Sequence, residues 1–161
     1  MPLLFQADSQ IDIHEQSPIA LAFVGDGVFE VLVRTRLVER TRLVPNQLHA
    51  HAVRLVSAKG QSAALAMLEP YLTEREAAMV RRGKNSTKAT VAKHATPQEY
   101  RASTALEALF GWLYLQNEND RIEELFDYIW NEIYLGGADN GPEKSSVPTG
   151  SSRAVHGERQ L

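Results

Sequence analysis

Two carboxylates stand out in this sequence because each interrupts a run of apolar residues. Asp26 lies within residues 19–33, where Glu30 is the only other charged side chain, and Glu107 is the only charge in residues 105–115. We expect both segments to be buried, and an ionised carboxylate in apolar surroundings is costly unless it is paired or binds a metal. The hard oxygens of Asp and Glu suit Mg²⁺, which also binds substrate phosphate. The two residues therefore predict a Mg²⁺ site for phosphodiester hydrolysis, and a structural ion pair with an arginine is the alternative.

Glu30, His49 and His51 are weaker candidates for the same chemistry. Glu30 follows Asp26 by four residues and would share its face of a helix, but an exposed glutamate is common in a long helix. The two histidines are two residues apart and would lie on different faces of a helix, which makes them poor joint metal ligands. We predict surface or packing roles for both histidines.

A basic segment is the second feature that bears on function. Residues 75–101 contain seven lysines and arginines and two glutamates, although the whole chain has a net charge of −3. Charge is therefore segregated along the chain, and a basic segment of this kind is typical of phosphate binding. A solvated basic loop without a ligand is the alternative.

Two structures are compatible with the stretch that positions Asp26. Ser17-Pro18 matches an N-cap followed by proline at the first helical position, which predicts a helix reaching about Glu39. Residues 25–27, Gly-Asp-Gly between runs rich in Val and Phe, also resemble a hairpin turn. Period-two alternation is absent from both flanks, which favours the helix, whereas two interior glycines each cost a helix roughly 1 kcal/mol. The residues alone leave both structures open.

Helical signals account for most of the remaining chain. Apolar residues at helical spacing in residues 46–72 predict two helices, or one helix broken near residues 59–60. A capping box at residues 73–76 predicts a short helix that ends at Gly83, and a loop without periodicity follows over residues 84–96.

The last part of the chain predicts two more helices. Thr96-Pro97 opens one that runs through Gln116, and residues 121–134 have the pattern of a final amphipathic helix. Residues 105–115 are apolar on nearly every face, as in a helix at the centre of a core or of an oligomer interface. No segment is typical of a strand, so we predict an all-α fold, a single bundle of about six helices.

Length and composition fit one domain with a hydrophobic core, since the chain has 161 residues. We expect residues 1–16 to be an N-terminal lead-in segment, residues 17–135 to form the helical domain, and residues 136–161, rich in Gly, Ser and Pro, to be a disordered tail. The chain has no cysteine, which excludes disulfides and cysteine-based zinc sites. Without a membrane-spanning run or a secretory signal, we expect a soluble, cytoplasmic protein with no membrane partner.

Several motifs together resemble a known enzyme family. Residues 22–30, Ala-Phe-Val-Gly-Asp-Gly-Val-Phe-Glu, resemble the signature of ribonuclease III catalytic domains. Three further motifs in the same order are similar to the Mini-ribonuclease III subgroup: residues 56–61 (Val-Ser-Ala-Lys-Gly-Gln), residues 80–85 (Val-Arg-Arg-Gly-Lys-Asn) and residues 100–115, which begin Tyr-Arg-Ala-Ser-Thr-Ala-Leu-Glu. The resemblance covers residues 17–134.

The resemblance implies an all-α homodimer of the ribonuclease III catalytic-domain type, and hence a helix at Asp26. It implies that Asp26 and Glu107 are catalytic, bind Mg²⁺ in each subunit and cleave double-stranded RNA to 5′-phosphate and 3′-hydroxyl ends. The subgroup lacks a separate double-stranded-RNA-binding domain, so RNA contacts are expected from the catalytic domain and its basic loop. The candidate RNA-binding residues are Arg81, Arg82, Lys84, Asn85, Lys88 and Lys93.

The substrate that the resemblance implies is the precursor of large-subunit (23S) ribosomal RNA, with a large-subunit ribosomal protein or particle as a further partner. Ile19, Ala22, Lys59 and Thr104 stand where full-length ribonuclease III enzymes carry further acidic residues. The metal shell would then rely on two carboxylates and water, and we expect weak metal affinity. The same departures support an alternative from another class, a non-catalytic double-stranded-RNA-binding or scaffold protein on the same fold.

Overall fold

Six α-helices and two short 3₁₀ turns make up the structure, a computed structural model that describes residues 6–8, 10–86 and 94–134. No strand occurs in these residues, which confirms the predicted all-α fold. The helices are α1 (Pro18–Arg40), α2 (Pro45–Val56), α3 (Ala58–Leu68), α4 (Glu74–Asn85), α5 (Pro97–Leu115) and α6 (Asn119–Tyr134), and the 3₁₀ turns are Ile13–Glu15 and Glu69–Tyr71.

Side-chain caps start three of these helices at the predicted places. The hydroxyls of Ser17 and Thr96 each accept a backbone N–H from three residues further on, at 3.1 Å. Helix α4 opens with the complete capping box, in which Thr73 and Glu76 exchange hydrogen bonds of 3.2 and 3.0 Å. These bonds satisfy N–H groups that have no partner inside a helix.

Helix α1 runs without a break through residues 25–27 and ends at Arg40. The helix predicted from Ser17-Pro18 is therefore confirmed, and the hairpin alternative is wrong. Packing explains only the first of the two interior glycines, because Gly25 lies where α1 contacts α5 and Gly27 is exposed.

Several helix boundaries differ from the predicted ones, among them the start of α6, which lies at Asn119 and not at residue 121. The break between α2 and α3 falls at Ser57, whose hydroxyl caps α3, and not at residues 59–60. Helix α4 continues past Gly83, so Lys84 and Asn85 belong to the helix and not to a loop. A Cβ atom on Gly83 would lie 2.7 Å from the Cα atom of Ala105. This glycine permits close packing of α4 on α5 and does not end the helix.

Helix α5 lies at the centre of the bundle and packs against α1, α3, α4 and α6. Its residues from Ala102 to Leu113 are buried except for Glu107 and Trp112. The ring of Phe29 makes edge-to-face contacts with those of Phe110 and Phe126, at centroid distances of 5.6 and 6.0 Å. Burial of each ring contributes roughly 1.5–3 kcal/mol. The apolar character of α5 thus serves the core of a single chain.

Some predictions concern residues that the structure does not describe. These are the disordered tail over residues 136–161 and the loop residues Lys88 and Lys93, all of which lie outside the described residues. They therefore stay predictions. Within the described residues, no helix combines the length and the apolar character that crossing a bilayer requires.

Candidate active site

Helices α1 and α5 touch backbone to backbone at two glycines. A Cβ atom on Gly25 would lie 1.6 Å from the carbonyl oxygen of Glu107, and one on Gly111 would lie 1.9 Å from the carbonyl oxygen of Leu21. Only glycine leaves room for so close an approach. Each helix contributes one glycine to the crossing, and the backbone itself brings together the side chains beside it.

The crossing places the two predicted carboxylates side by side, because Asp26 follows Gly25 and Glu107 is the residue that Gly25 touches. Glu107 is half-buried, whereas Asp26 is exposed, so the expectation that Asp26 is buried is wrong. Some apolar residues of α1 lie outside the face that packs in the core. Ile19 and Phe23, which precede Asp26 on the same helix, are 50% and 86% exposed.

The surroundings of Glu107 shift its pKa. Burial, and after it the negative charge of Asp26, raise the pKa of Glu107 to about 7, whereas the side-chain amide of Gln61 lowers it. Two carboxyl groups that share a site without a cation show this behaviour. No lysine or arginine in residues 6–8, 10–86 and 94–134 forms an ion pair with either carboxylate.

Glu76 forms the kind of structural ion pair with an arginine that was the alternative for Asp26 and Glu107. It is 3% exposed, and its carboxylate accepts hydrogen bonds of 2.9–3.3 Å from the guanidinium of Arg121. Burial alone would raise the pKa of Glu76, but the hydrogen bonds from Arg121 and Thr73 lower it below its usual range. A structural pair with arginine is therefore realised at Glu76, in contrast to Asp26 and Glu107.

The raised pKa of Glu107 predicts that the metal-free protein loses stability as the pH rises. In the unfolded chain this carboxyl releases its proton near its ordinary pKa of 4.5, but in the folded chain only near pH 7. Between these values the folded chain binds more protons, so the free energy of unfolding falls with rising pH, by as much as about 3 kcal/mol. In thermal melts with chelator, we expect Glu107→Gln to raise the melting temperature by several degrees at pH 8 and to change it little below pH 5.

The matched control for this prediction is Glu132→Gln, because Glu132 is an exposed carboxylate on α6. This variant is expected to melt at the same temperature as the unmodified protein at both pH values. If Glu107→Gln does not melt above the unmodified protein at pH 8, the raised pKa of Glu107 is contradicted.

Gln61 is a polar residue of this site that the sequence analysis did not single out. It lies in the first turn of α3, is 1% exposed, and its side chain reaches Glu107. The other buried residues of α3 are Ala64, Leu65 and Leu68, so Gln61 interrupts an apolar face. The signal was hidden because the many alanines of α3 fit more than one helix face.

The weaker candidates have other surroundings. Glu30 accepts a hydrogen bond of 2.9 Å from Arg34, one turn further along α1. His49 is exposed and His51 is half-buried. Burial, and after it the charge of Arg54, lower the pKa of His51. These positions agree with surface or packing roles for the histidines.

The donor set at the crossing fits Mg²⁺. Asp26 and Glu107 supply carboxylate oxygens, and a cation between them would relieve the repulsion that raises the pKa of Glu107. Across the part of the chain that the structure describes, no three His, Asp or Glu side chains are grouped closely enough to hold a metal ion. An ion at this pair would therefore complete its shell with water and substrate oxygens, as Mg²⁺ commonly does.

The end of α4 exposes part of the basic segment to solvent. Arg81, Arg82 and Asn85 are exposed, and neither arginine forms an ion pair with another described residue. Lys84 differs, because its ammonium group lies 3.1 Å from a carboxylate oxygen of Glu69. Among the described members of the predicted RNA-binding set, the two arginines are thus the exposed charges without an ion-pair partner.

Comparisons with known proteins show the family of this chain. The sequence profile of the Ribonuclease III domain matches residues 19–118. Mini-ribonuclease 3 of Symbiobacterium thermophilum is 47% identical over 119 residues, which make up 74% of this chain and 92% of that protein. Mini-ribonuclease 3 of Enterococcus faecalis is 40% identical over 76% of this chain and 94% of its own length.

A solved structure supports the same relationship. The crystal structure of a Fusobacterium nucleatum protein superposes with a TM-score of 0.69 at 28% identity, covering 76% of this chain and 98% of that one. The glycine crossing and both carboxylates fall within the profile match. The chain thus belongs to the ribonuclease III family of endoribonucleases, in its Mini-ribonuclease III subgroup.

Proposed function

We propose that this protein is a Mg²⁺-dependent endoribonuclease that cleaves double-stranded RNA, with Asp26 and Glu107 as its catalytic and metal-binding residues. One observation carries the proposal: the backbone crossing at Gly25 sets these two carboxylates together without an ion-pair partner among the described residues. A carboxyl group whose pKa is raised by a neighbouring carboxylate is typical of a functional site. Family membership supplies the reaction class.

The two carboxylates have different surroundings, and each suits a different role. Glu107 is anchored on the central helix α5 and is half-buried, so its position is set by the core. Asp26 is exposed, so a phosphodiester can reach it from solvent. Bound Mg²⁺ would polarise a phosphoryl oxygen and lower the pKa of a bound water. The products follow when water adds to phosphorus and the bond from phosphorus to the 3′ oxygen breaks, which leaves 5′-phosphate and 3′-hydroxyl ends.

Incubation with a long, fully paired RNA tests the proposal. The unmodified protein is compared in Mg²⁺ and in chelator, beside Glu107→Gln in Mg²⁺. We expect cuts in both strands that require Mg²⁺ and that disappear in the variant. Binding without cleavage in Mg²⁺ would instead support the non-catalytic double-stranded-RNA-binding or scaffold protein.

The proposed RNA interface includes the exposed end of α4. Arg81 and Arg82 are exposed arginines on this end, and the predicted contacts at Lys84, Asn85, Lys88 and Lys93 extend it along the basic segment. Double-stranded RNA is recognised mainly through its shape, its phosphates and its 2′-hydroxyls. A protein without base readout then depends on such charges for affinity.

Alanine at both Arg81 and Arg82 is expected to weaken RNA binding and to flatten its dependence on salt. Removing one phosphate-binding charge reduces the slope of log affinity against log salt by about 1. The measurement is a binding titration at several salt concentrations. Alanine at both Arg40 and Arg42, which lie outside the basic segment, is the matched control and should leave the slope unchanged. An unchanged slope for the α4 variant would remove this end of α4 from the interface.

We further propose a homodimer, and the outer side of α1 supports it. Ile19 and Phe23 lie one turn apart on this side, and a phenylalanine that is 86% exposed leaves a large apolar surface in water. Burying such a ring against a second copy contributes roughly 1.5–3 kcal/mol. A symmetric pair would also bring two sites together, one for each strand of the RNA.

Phe23→Asp is expected to convert the dimer to single chains in sedimentation experiments, because it places a charge in the proposed interface. Val38→Asp is the matched control, since Val38 is also on α1 and is 66% exposed. The control should sediment as the unmodified protein does. A Phe23→Asp variant that still sediments as two chains would exclude this surface from the dimer.

The finer parts of the proposal come from the resemblance described above. The proposed substrate is the precursor of large-subunit (23S) ribosomal RNA, with a large-subunit ribosomal protein or particle as a further partner. Residues 17–135 would form the catalytic domain. A cytoplasmic location agrees with this substrate and with a chain that contains no cysteine.

A further inference from the structure

A buried amide lies behind the Glu107 carboxylate. We propose that Gln61 is a positioning residue, whose side-chain N–H group donates to Glu107 and holds that carboxylate in the orientation that binds Mg²⁺. The inference rests on the proposed function, because it assigns to Gln61 the support of a proposed metal ligand. Gln61 itself would touch neither the metal nor the RNA.

The Gln61 amide has little else to bind. Its Nε2 atom is buried and has no hydrogen-bond partner among the described residues, and the whole residue is 1% exposed. The Glu107 carboxylate lies close enough for this amide to lower its pKa. A buried donor without a full partner is costly. If packing were its only role, an apolar side chain such as those at Ala64 and Leu65 would serve better.

The backbone that carries Gln61 is held at a fixed point. The N–H group of Gln61 donates to the carbonyl oxygen of Ser57 at 2.8 Å, and the N–H group of Gly60 donates to the Ser57 hydroxyl at 3.1 Å. A Cβ atom on Gly60 would lie 1.9 Å from the carbonyl oxygen of Arg54, so the turn between α2 and α3 is tight. The amide thus approaches α5 from a rigid turn.

Such support matters most in a site with few ligands. A carboxylate has two oxygens, so a donor on one oxygen of Glu107 leaves the other for a metal ion and fixes its direction. Residues that hydrogen-bond to metal ligands orient them in this way, and their loss typically weakens metal binding about 10–100-fold. Asp26 is exposed and has no comparable partner among the described residues. Glu107 would therefore be the pre-oriented ligand of the pair.

Gln61→Met tests the inference, because methionine keeps the length and unbranched shape of glutamine but has no N–H donor. Leu65→Met is the matched control for altered packing on the same buried face of α3. The readout is the melting temperature of the full chain without RNA as Mg²⁺ is added, since binding to the folded state raises it. We expect Gln61→Met in chelator to melt at or above the temperature of the unmodified protein. It should need about 10-fold more Mg²⁺ for the same rise.

Two outcomes would overturn the inference. If Gln61→Met melts lower in chelator but responds to Mg²⁺ as the unmodified protein does, Gln61 is a packing residue. If Leu65→Met shifts the Mg²⁺ response equally, the effect is not specific to the amide. Asp26→Asn in the same titration distinguishes a failure of the proposed metal site from a failure of the positioning role of Gln61. A Mg²⁺ response that disappears in Asp26→Asn but is unchanged in Gln61→Met contradicts only the inference, whereas no response in the unmodified protein contradicts the metal site as well.

Discussion

Asparagine at Asp26 is expected to abolish RNA cleavage and to leave the fold and RNA binding intact. Loss of one of two proposed ligands should lower kcat by more than the roughly 10–100-fold typical of residues that only support a ligand. Asp26 is exposed, so no core packing is removed. Its charge also helps to raise the pKa of Glu107, and removing it should not destabilise the metal-free chain. Single-turnover cleavage, a binding titration and a thermal melt measure the three properties.

Glu30→Gln is the matched control, because Glu30 lies one turn further along α1 and pairs with Arg34. Exposed pairs of this kind contribute less than about 1 kcal/mol, so both stability and cleavage should be retained. Cleavage by Asp26→Asn at the unmodified rate would remove Asp26 from the reaction. Equal loss in both variants would indicate a general effect of negative charge on this part of α1.

Alanine at Gly25 is expected to destabilise the protein severely. The new Cβ atom would lie 1.6 Å from the backbone oxygen of Glu107 and 2.8 Å from the backbone nitrogen of Gly111. Backbone atoms cannot rotate aside as a side chain can, so α1 and α5 must separate, at a cost of about 3 kcal/mol or more. Urea or thermal unfolding measures the loss.

Gly27→Ala is the control for this prediction, two residues away on the same helix. Nothing lies within 4 Å of a Cβ atom at Gly27. Alanine is favoured over glycine inside a helix by about 1 kcal/mol, so this variant should melt roughly 2–4 °C higher. Equal destabilisation by both substitutions would show that close contact is not the reason for glycine at position 25.

The starts of three helices, α1, α4 and α5, could be predicted because their signals are local. Ser17, Thr73 and Thr96 each accept a hydrogen bond from a residue within the next turn, so both partners are close together in the sequence. The carboxylate pair could also be predicted, because a charge within an apolar run is visible without knowledge of the helix that packs against it. The pair is now placed at one crossing by the backbone contact of Gly25 with Glu107.

The remaining features depend on contacts between distant residues. In the sequence, Gly25 counts against a helix and towards a hairpin, and only the approach of α5 explains it. The exposure of Asp26 was mispredicted because Ile19 and Phe23 give the outer side of α1 an apolar character too. Gln61 becomes noticeable only when α3 is seen against α5. Each of these misses reflects helix–helix packing, which local propensity does not contain.

The glycine crossing also limits how this site can be regulated. Because Asp26 and Glu107 lie where α1 and the central helix touch backbone to backbone, the spacing of their Cα atoms can change only if those helices separate. Separation of core helices requires opening of the whole domain, so amide hydrogens at the crossing should be among the slowest to exchange with solvent. The pair therefore has no hinge between an active and an inactive form. Control of activity would act on the supply of metal, on the delivery of RNA, or on the pairing of two chains.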